Sequence, residues 1–125
     1  MKWLERFADP AYVLVRILSG AMFAFHGVQH LFGVLSPARA AVGSQVWIGG
    51  IIELLGGLAV ALGLRTRVAA LLCSGTMAVA YCQFHWKFRW GTAFLPGVNR
   101  GELALLYCVV FLFIACRGGR DWSLD

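Results

Sequence analysis

Residues 47–67 have the sequence Trp47-Ile-Gly-Gly-Ile-Ile-Glu53-Leu-Leu-Gly-Gly-Leu-Ala-Val-Ala-Leu-Gly-Leu-Arg65-Thr-Arg67, and most of them are apolar. Glu53 is the only charged residue between Trp47 and Leu64. As a helix that rises about 1.5 Å per residue, an apolar segment of this length spans a bilayer core of roughly 30 Å. The stretch therefore predicts a transmembrane helix with a single acidic residue inside it.

The face of this helix that carries Glu53 is also its glycine-rich face. At about 100° per residue, Gly49, Gly50, Gly56 and Gly57 all fall within about 60° of Glu53. Small residues let a neighbouring helix come close, and an acid at the centre of a span costs about 3 kcal/mol when it faces lipid. We therefore expect this face to pack inside a helical bundle, with Glu53 at the centre of the functional site.

The composition indicates an integral membrane protein. Of the 125 residues, 60% are hydrophobic and 14% are charged, against about 25% charged in soluble domains. The chain therefore has room for four short spans in a single domain, residues 1–125, and for no soluble catalytic module. The net charge of +5 is assigned to topology and lipid headgroups. No RNA- or DNA-binding motif accompanies this charge, so nucleic acid is not an expected partner.

The predicted fold class is all-α, a four-helix transmembrane bundle with spans at about 11–35, 45–64, 68–86 and 101–116. An even number of spans puts both termini and the turn at 65–67 on one side of the membrane. That side carries six Lys and Arg residues, and the other side carries four. The positive-inside rule then places the termini in the cytoplasm, and we expect a bacterial cytoplasmic membrane.

Most polar residues of the spans fall in the half of the bundle away from the termini. On that side, His26 is expected about 13 Å and Glu53 about 12 Å below the membrane surface. His30 is expected one turn nearer the surface than His26, on the same helix face. The candidate site residues are His26, His30, Glu53, His85 and Glu102. Arg16 lies near the other surface, where a long side chain can reach the headgroups, and it is assigned a structural role.

Three chemistries suit this group of histidines and carboxylates. A quinone site would use Glu53 and His26 as catalytic residues, since a histidine can donate to a carbonyl while a carboxylate exchanges the proton. His26, His30, Glu53, His85 and Glu102 would then bind the quinone. Imidazoles and carboxylates also suit a metal, whose identity the spacing leaves unknown, and a polar path could carry a proton or small solute. None of the four cysteines forms a Cys-x-x-Cys pair.

Four motifs in order resemble the DoxX family of small four-helix membrane proteins. They are Leu18-Ser-Gly20 followed by Phe25-His26-Gly27-Val-Gln-His30-Leu-Phe-Gly33, then Glu53-Leu-Leu-Gly56-Gly57 through Arg65-Thr66-Arg67, then Asn99-Arg-Gly101-Glu102, and finally Trp122-Ser123-Leu124-Asp125. The resemblance implies that Arg16, His26, Glu53 and Glu102 are recurrent polar residues of the family. His30 departs from the family pattern, which often has Lys at that position.

The resemblance implies a link to membrane oxidoreductases, because the family's namesakes are subunits of a thiosulfate:quinone oxidoreductase. The function expected first is therefore a quinone-linked oxidoreductase component. The alternatives are a non-catalytic subunit that anchors or assembles a larger complex, and a small transporter. The resemblance leaves open whether the chain is itself an enzyme. The expected partners are the lipid bilayer and either other membrane subunits or further copies of the chain.

Overall fold

The computed structural model describes residues 1–125, of which 75% are helical and none lies in a strand. The elements are a 3-10 helix at Lys2–Phe7, α1 at Ala8–Phe32, α2 at Gln45–Leu62, α3 at Thr66–Ala80, a π-helix at Tyr81–Trp86, a 3-10 helix at Gly91–Phe94, α4 at Pro96–Asn99 and α5 at Glu102–Arg117. The prediction of an all-helical chain is therefore confirmed.

Three helical segments are long and apolar enough to cross a membrane: Lys2–Phe32, Gln45–Leu62 and Thr66–Trp86. α5 has 16 residues and is shorter than these three. The first segment ends at Phe32, three residues before the predicted boundary, because Gly33 adopts a left-handed conformation with φ 70°. Its N–H bonds to the carbonyl of Gln29, which closes the helix in the manner of a glycine C-cap.

The four long helices form two closely packed pairs, α1 with α2 and α3 with α5. Gly20 and Gly57 explain the closeness of the first pair. A Cβ atom at Gly20 would lie 2.6 Å from the carbonyl oxygen of Gly57, and one at Gly57 would lie 2.6 Å from the oxygen of Gly20. The two backbones touch where side chains are absent, as small residues allow between membrane helices.

The two pairs meet mainly through α2 and α3. A Cβ at Gly56 would lie 2.6 Å from Sγ of Cys73, so the glycine again permits the contact. The turn between α2 and α3 is short and contains Gly63, which has φ 71°. This turn, the start of α1 and the C-terminal residues gather at one end of the bundle, called here the tail end. The opposite end, which carries residues 33–44 and 87–101, is called the loop end.

Arg16 holds the C-terminal residues onto the tail end. Its side chain is fully buried, and its guanidinium donates to the carbonyl oxygens of Gly119, Asp121 at 3.0 Å and Trp122 at 2.5 Å. The expectation that Arg16 reaches the lipid headgroups is therefore wrong. The reason is that residues 118–125 fold back over the bundle and present free carbonyl groups, and buried carbonyls need donors.

Asp125 completes the tail end by capping α3. Its carboxylate accepts from the backbone N–H of Arg65 at 2.7 Å, from that of Thr66 at 3.0 Å and from the Thr66 hydroxyl at 2.5 Å. The first N–H groups of a helix have no partner within the helix, and a negative charge is favourable there. A residue distant in sequence thus does what an N-cap side chain usually does.

Candidate functional site

Glu53 and His30 form a hydrogen-bonded pair between α1 and α2. Nδ1 of His30 lies 2.7 Å from Oε2 of Glu53. The Glu53 side chain is 8% exposed, whereas the His30 side chain is 40% exposed. An acid this deep in an apolar helix requires a partner, and the imidazole provides one. Because either group can hold the proton that lies between them, the pair can exchange a proton with a molecule placed beside it.

Helix geometry explains why Glu53 bonds to His30, although His26 is the histidine at the same depth in the bundle as Glu53. α1 and α2 are antiparallel, and Gly20 opposite Gly57 fixes their register. Each Cα–Cβ bond tilts toward the N-terminus of its helix, so the Glu53 side chain leans toward the loop end and that of His30 leans toward the tail end. The two side chains therefore converge, and that of His26 leans away.

A cavity of about 840 Å³ separates the two helix pairs in the half of the bundle near the loop end. Its polar lining residues on the α1–α2 side are His26, His30, Gln45 and Glu53, and most of its other lining residues are apolar. A largely apolar cavity with a few converging polar groups is the usual form of a small-molecule site. The cavity is large enough for a ring-sized polar headgroup with part of an apolar tail.

Tyr107 of α5 forms the wall that faces these residues. It is 5% exposed, its ring packs 5.2 Å from that of Phe23 and 6.1 Å from that of His26, and its hydroxyl has no hydrogen-bond partner. Buried hydroxyls without a partner are uncommon and cost about 1–3 kcal/mol. A ligand atom or an ordered water in the cavity would satisfy this hydroxyl.

Tyr107 was absent from the sequence-based set because it is a lone polar tip in an apolar run. The sequence of α5 gives no signal for it, because apolar residues occur on every face of this helix; in the structure, the buried residues recur at a spacing of three, four and three: Ala104, Tyr107, Phe111 and Ile114. That stripe places the tyrosine on the face of α5 that packs inside the bundle. A tyrosine on a buried stripe needs a partner for its hydroxyl, so it is a candidate for a site.

The remaining predicted residues divide into two groups. His85 lines the cavity from the π-helix at the loop end, and Arg100, which is not among the predicted site residues, lines it too. Glu102 is exposed and does not line the cavity. A Cβ added at Gly97 would lie 3.5 Å from Oε1 of Glu102, so this side chain lies against α4. The structure therefore places His26, His30, Glu53 and His85 around one cavity and leaves Glu102 outside it.

The side chains do not form an obvious metal centre. No three His, Cys, Asp or Glu side chains lie together closely enough to hold a metal ion. The four cysteines are free, and Cys73 is buried against α2. The donors around the cavity are instead imidazole, carboxylate and phenol groups, which suit hydrogen bonding to carbonyl or hydroxyl groups of an organic molecule.

The fold is that of a small, all-helical protein with three helices long and apolar enough to cross a membrane, and a cavity with polar lining residues lies between its helices. The family model named DoxX matches residues 11–86. An uncharacterized protein of Haemophilus influenzae is 35% identical over 129 aligned residues, which cover 100% of this chain and 96% of that protein. The chain belongs to the DoxX family. No solved structure matches it.

The family model covers only part of the candidate site. His26, His30, Glu53 and His85 lie within residues 11–86, whereas Tyr107 lies beyond them. The wall of the cavity that α5 forms is therefore assigned by the structure alone.

Proposed function

We propose that this chain is the quinone-binding membrane component of an oxidoreductase. The observation that carries the proposal is the cavity itself, with the His30–Glu53 pair on one wall and the unpartnered Tyr107 hydroxyl on the facing wall. A quinone ring carries two carbonyl oxygens on opposite sides. Donors on opposite walls of a largely apolar cavity suit such a ring, and the family resemblance supports the same choice.

Each residue has a definite task in this proposal. The phenol of Tyr107 donates to one carbonyl oxygen, and the His30–Glu53 pair hydrogen-bonds at the other and holds or releases a proton there. A bound quinone would supply the capacity to accept two electrons and two protons. His26 borders the pair on α1 and is packed edge-on against Tyr107, so it positions that ring. His85 and Arg100 stand at the loop end of the cavity.

The chain is proposed as one component of a larger enzyme. The cysteines are free and form no Cys-x-x-Cys pair, so the chain offers no dithiol to deliver electrons. In this proposal the electrons come from a partner subunit. The partner surface would be at the loop end, where Trp90 is 80% and Phe88 is 61% exposed beside Trp86. A non-catalytic anchoring subunit is the second candidate, and the same exposed aromatic residues favour it.

The proposal includes a topology with four spans and both termini in the cytoplasm. At 1.5 Å per residue, α5 is about 24 Å long, somewhat less than the roughly 30 Å of a bilayer core. The close packing of α5 along α3 supports its place as the fourth span. An epitope inserted within residues 38–43 tests this topology. Antibody should bind it on intact spheroplasts; binding only after lysis would contradict the proposed orientation.

The function is tested by quinone binding to purified chain in nanodiscs. Wild type is compared with Glu53→Gln, which keeps the shape of the side chain but removes its acid, and with the matched control Glu102→Gln outside the cavity. We expect Glu53→Gln to weaken the binding of a decyl-tailed ubiquinone analogue at least tenfold and Glu102→Gln to leave it unchanged. Equal affinity of all three proteins, or no binding by wild type, would contradict the proposal.

The second candidate is tested by co-purification at endogenous expression. An anchoring subunit arrives with a stoichiometric partner both in wild type and in Glu53→Gln, and substitution of Trp90 by Ala removes that partner. A partner that stays bound to the Trp90→Ala protein would contradict the proposed surface.

A further inference from the structure

We propose that the ligand enters the cavity sideways from the bilayer, through an opening between α2 and α3, and that its apolar tail stays in this opening. The inference rests on the proposed function for the polar headgroup and adds the route and the chemistry of the tail. The opening is flanked by Gly49 of α2 and Gly75 of α3 and is called here the membrane portal. Both glycines line the cavity.

The portal is closed toward the two ends of the bundle. At the loop end, Gln45 donates from Nε2 to Oε1 of Gln83 at 2.5 Å, which joins the start of α2 to the π-helix. Toward the tail end, Gly56 packs against Cys73. These two contacts are eleven residues apart on α2, or about 16 Å at 1.5 Å per residue. The gap between them therefore faces the side of the bundle, where the lipid lies.

The glycines of α2 differ in what surrounds them, and the difference marks the portal. A Cβ at Gly57 would lie 2.6 Å from backbone atoms of α1, and one at Gly56 would lie 2.6 Å from Cys73. A Cβ at Gly49 or at Gly75 would meet no atom within 4 Å. The sequence-based expectation that all four glycines of this face pack against neighbours is therefore wrong for Gly49. Its lack of a side chain leaves open space instead of a helix contact.

The opposite side of the cavity, between α1 and α5, is occupied by aromatic rings. The ring centroid of Phe23 lies 5.2 Å from that of Tyr107 and 4.8 Å from that of Phe111. Phe23 and Phe111 are almost fully buried. A molecule with a tail would have to displace these rings to pass on that side, whereas nothing needs to move between Gly49 and Gly75.

The walls of the portal are apolar and continue outward to the lipid. Ile48, Leu72 and Val79 line the cavity and are 51%, 58% and 50% exposed. Glu53 lies one helical turn beyond Gly49 on the same face of α2, so the apolar walls lead directly to the polar pair. A molecule that satisfies both parts has a hydrogen-bonding headgroup and a hydrocarbon tail. The occupant of the portal is therefore the tail of such an amphiphile.

Photolabelling in nanodiscs tests the portal with two probes. One is a decyl-tailed ubiquinone analogue with a diazirine on the tail, and the other is the same diazirine tail on a simple alcohol. Labelled residues are mapped by mass spectrometry in wild type, Gly75→Leu and the matched control Gly75→Ala. Both substitutions favour the helix over glycine, and neither meets a neighbouring atom at Cβ, so both proteins should fold.

We expect the quinone probe to label the portal walls at Leu72 and Val79 in wild type and in Gly75→Ala. The leucine should fill the portal and reduce this labelling at least fivefold. Labelling spread evenly over the lipid-facing helices, or unchanged in Gly75→Leu, would overturn the portal. The proposed function is judged separately by the headgroup. If the alcohol probe labels the portal walls as strongly as the quinone probe does, the portal stands and the quinone assignment fails.

Discussion

Nδ1 of His30 and Oε2 of Glu53 lie 2.7 Å apart, and 23 positions in the sequence separate the two residues. The contact joins the only acid in α2 to a histidine near the end of α1 and places both on the wall of the cavity. Its existence depends on the antiparallel register that Gly20 and Gly57 allow. The packing of these two glycines thus determines the chemistry about one turn away on α2 and nearly three turns away on α1.

The His30–Glu53 contact should stabilise the protein as a coupled pair. Single substitutions His30→Ala and Glu53→Ala, and the double variant, form a cycle whose unfolding is followed in detergent by circular dichroism. We expect a coupling free energy of at least about 1 kcal/mol, because directly bonded side chains are not additive. Effects that add within about 0.3 kcal/mol would mean that the contact contributes nothing.

Tyr107→Phe should weaken ligand binding without destabilising the fold. The hydroxyl has no partner in the protein, so its removal should leave the unfolding midpoint unchanged or raise it. In contrast, affinity for the decyl-tailed ubiquinone analogue should fall about fivefold, the equivalent of one hydrogen bond of about 1 kcal/mol. Tyr12→Phe is the matched opposite case, since that hydroxyl donates to the carbonyl of Gly118 at 2.6 Å. It should destabilise the fold and leave the affinity unchanged.

If folded Tyr107→Phe protein bound the analogue as tightly as wild type, the Tyr107 hydroxyl of α5 would not be part of the binding site.

Gly57→Ala should loosen the α1–α2 pair, whereas Gly49→Ala should not. The added Cβ at Gly57 would lie 2.6 Å from backbone atoms of Gly20 and Ala24, which cannot move without separating the helices. We expect a loss of about 1–3 kcal/mol in the free energy of unfolding. Gly49→Ala has open space and a better helix former, so it should gain up to about 1 kcal/mol. Equal effects of the two substitutions would contradict the assigned packing.

The tail end should loosen in acid through Asp125. Hydrogen bonds from Thr66, first from its hydroxyl and then from its N–H, lower the pKa of the Asp125 carboxyl below its ordinary value of 3.8. A group whose pKa is lower in the folded state stabilises that state above the unfolded pKa, and the contribution is lost as pH falls through the folded pKa. The protection of the amides at residues 62–66, expressed relative to their slower intrinsic exchange in acid, should therefore fall when the pH drops below about 4.

The Asp125→Asn variant should lack this acid-dependent step and exchange faster already at neutral pH. Asp121→Asn is the control, because the Asp121 side chain does not cap α3. If wild type, Asp125→Asn and Asp121→Asn showed the same dependence of amide protection on pH, the Asp125 cap would not contribute to stability.

The sequence was sufficient for the elements and the buried acid because both depend on local quantities. Hydrophobic length predicted four spans, of which three correspond to segments long and apolar enough to cross a membrane, and the cost of an unpaired charge in lipid predicted that Glu53 is buried. Depth alone could not show that Glu53 bonds to His30 and not to His26. That contact depends on the direction in which side chains lean on two antiparallel helices. The position of the Glu102 side chain could not be predicted either, because it lies against α4 only as a result of the turn at 96–101.

The most direct test of the central claim is the affinity of the decyl-tailed ubiquinone analogue for four proteins in nanodiscs: wild type, Glu53→Gln, Tyr107→Phe and Glu102→Gln. The cavity predicts that wild type and Glu102→Gln bind equally well, that Tyr107→Phe binds about fivefold more weakly and that Glu53→Gln binds at least tenfold more weakly. Four equal affinities, or a loss in Glu102→Gln as large as that in Glu53→Gln, would contradict a quinone site between these helices.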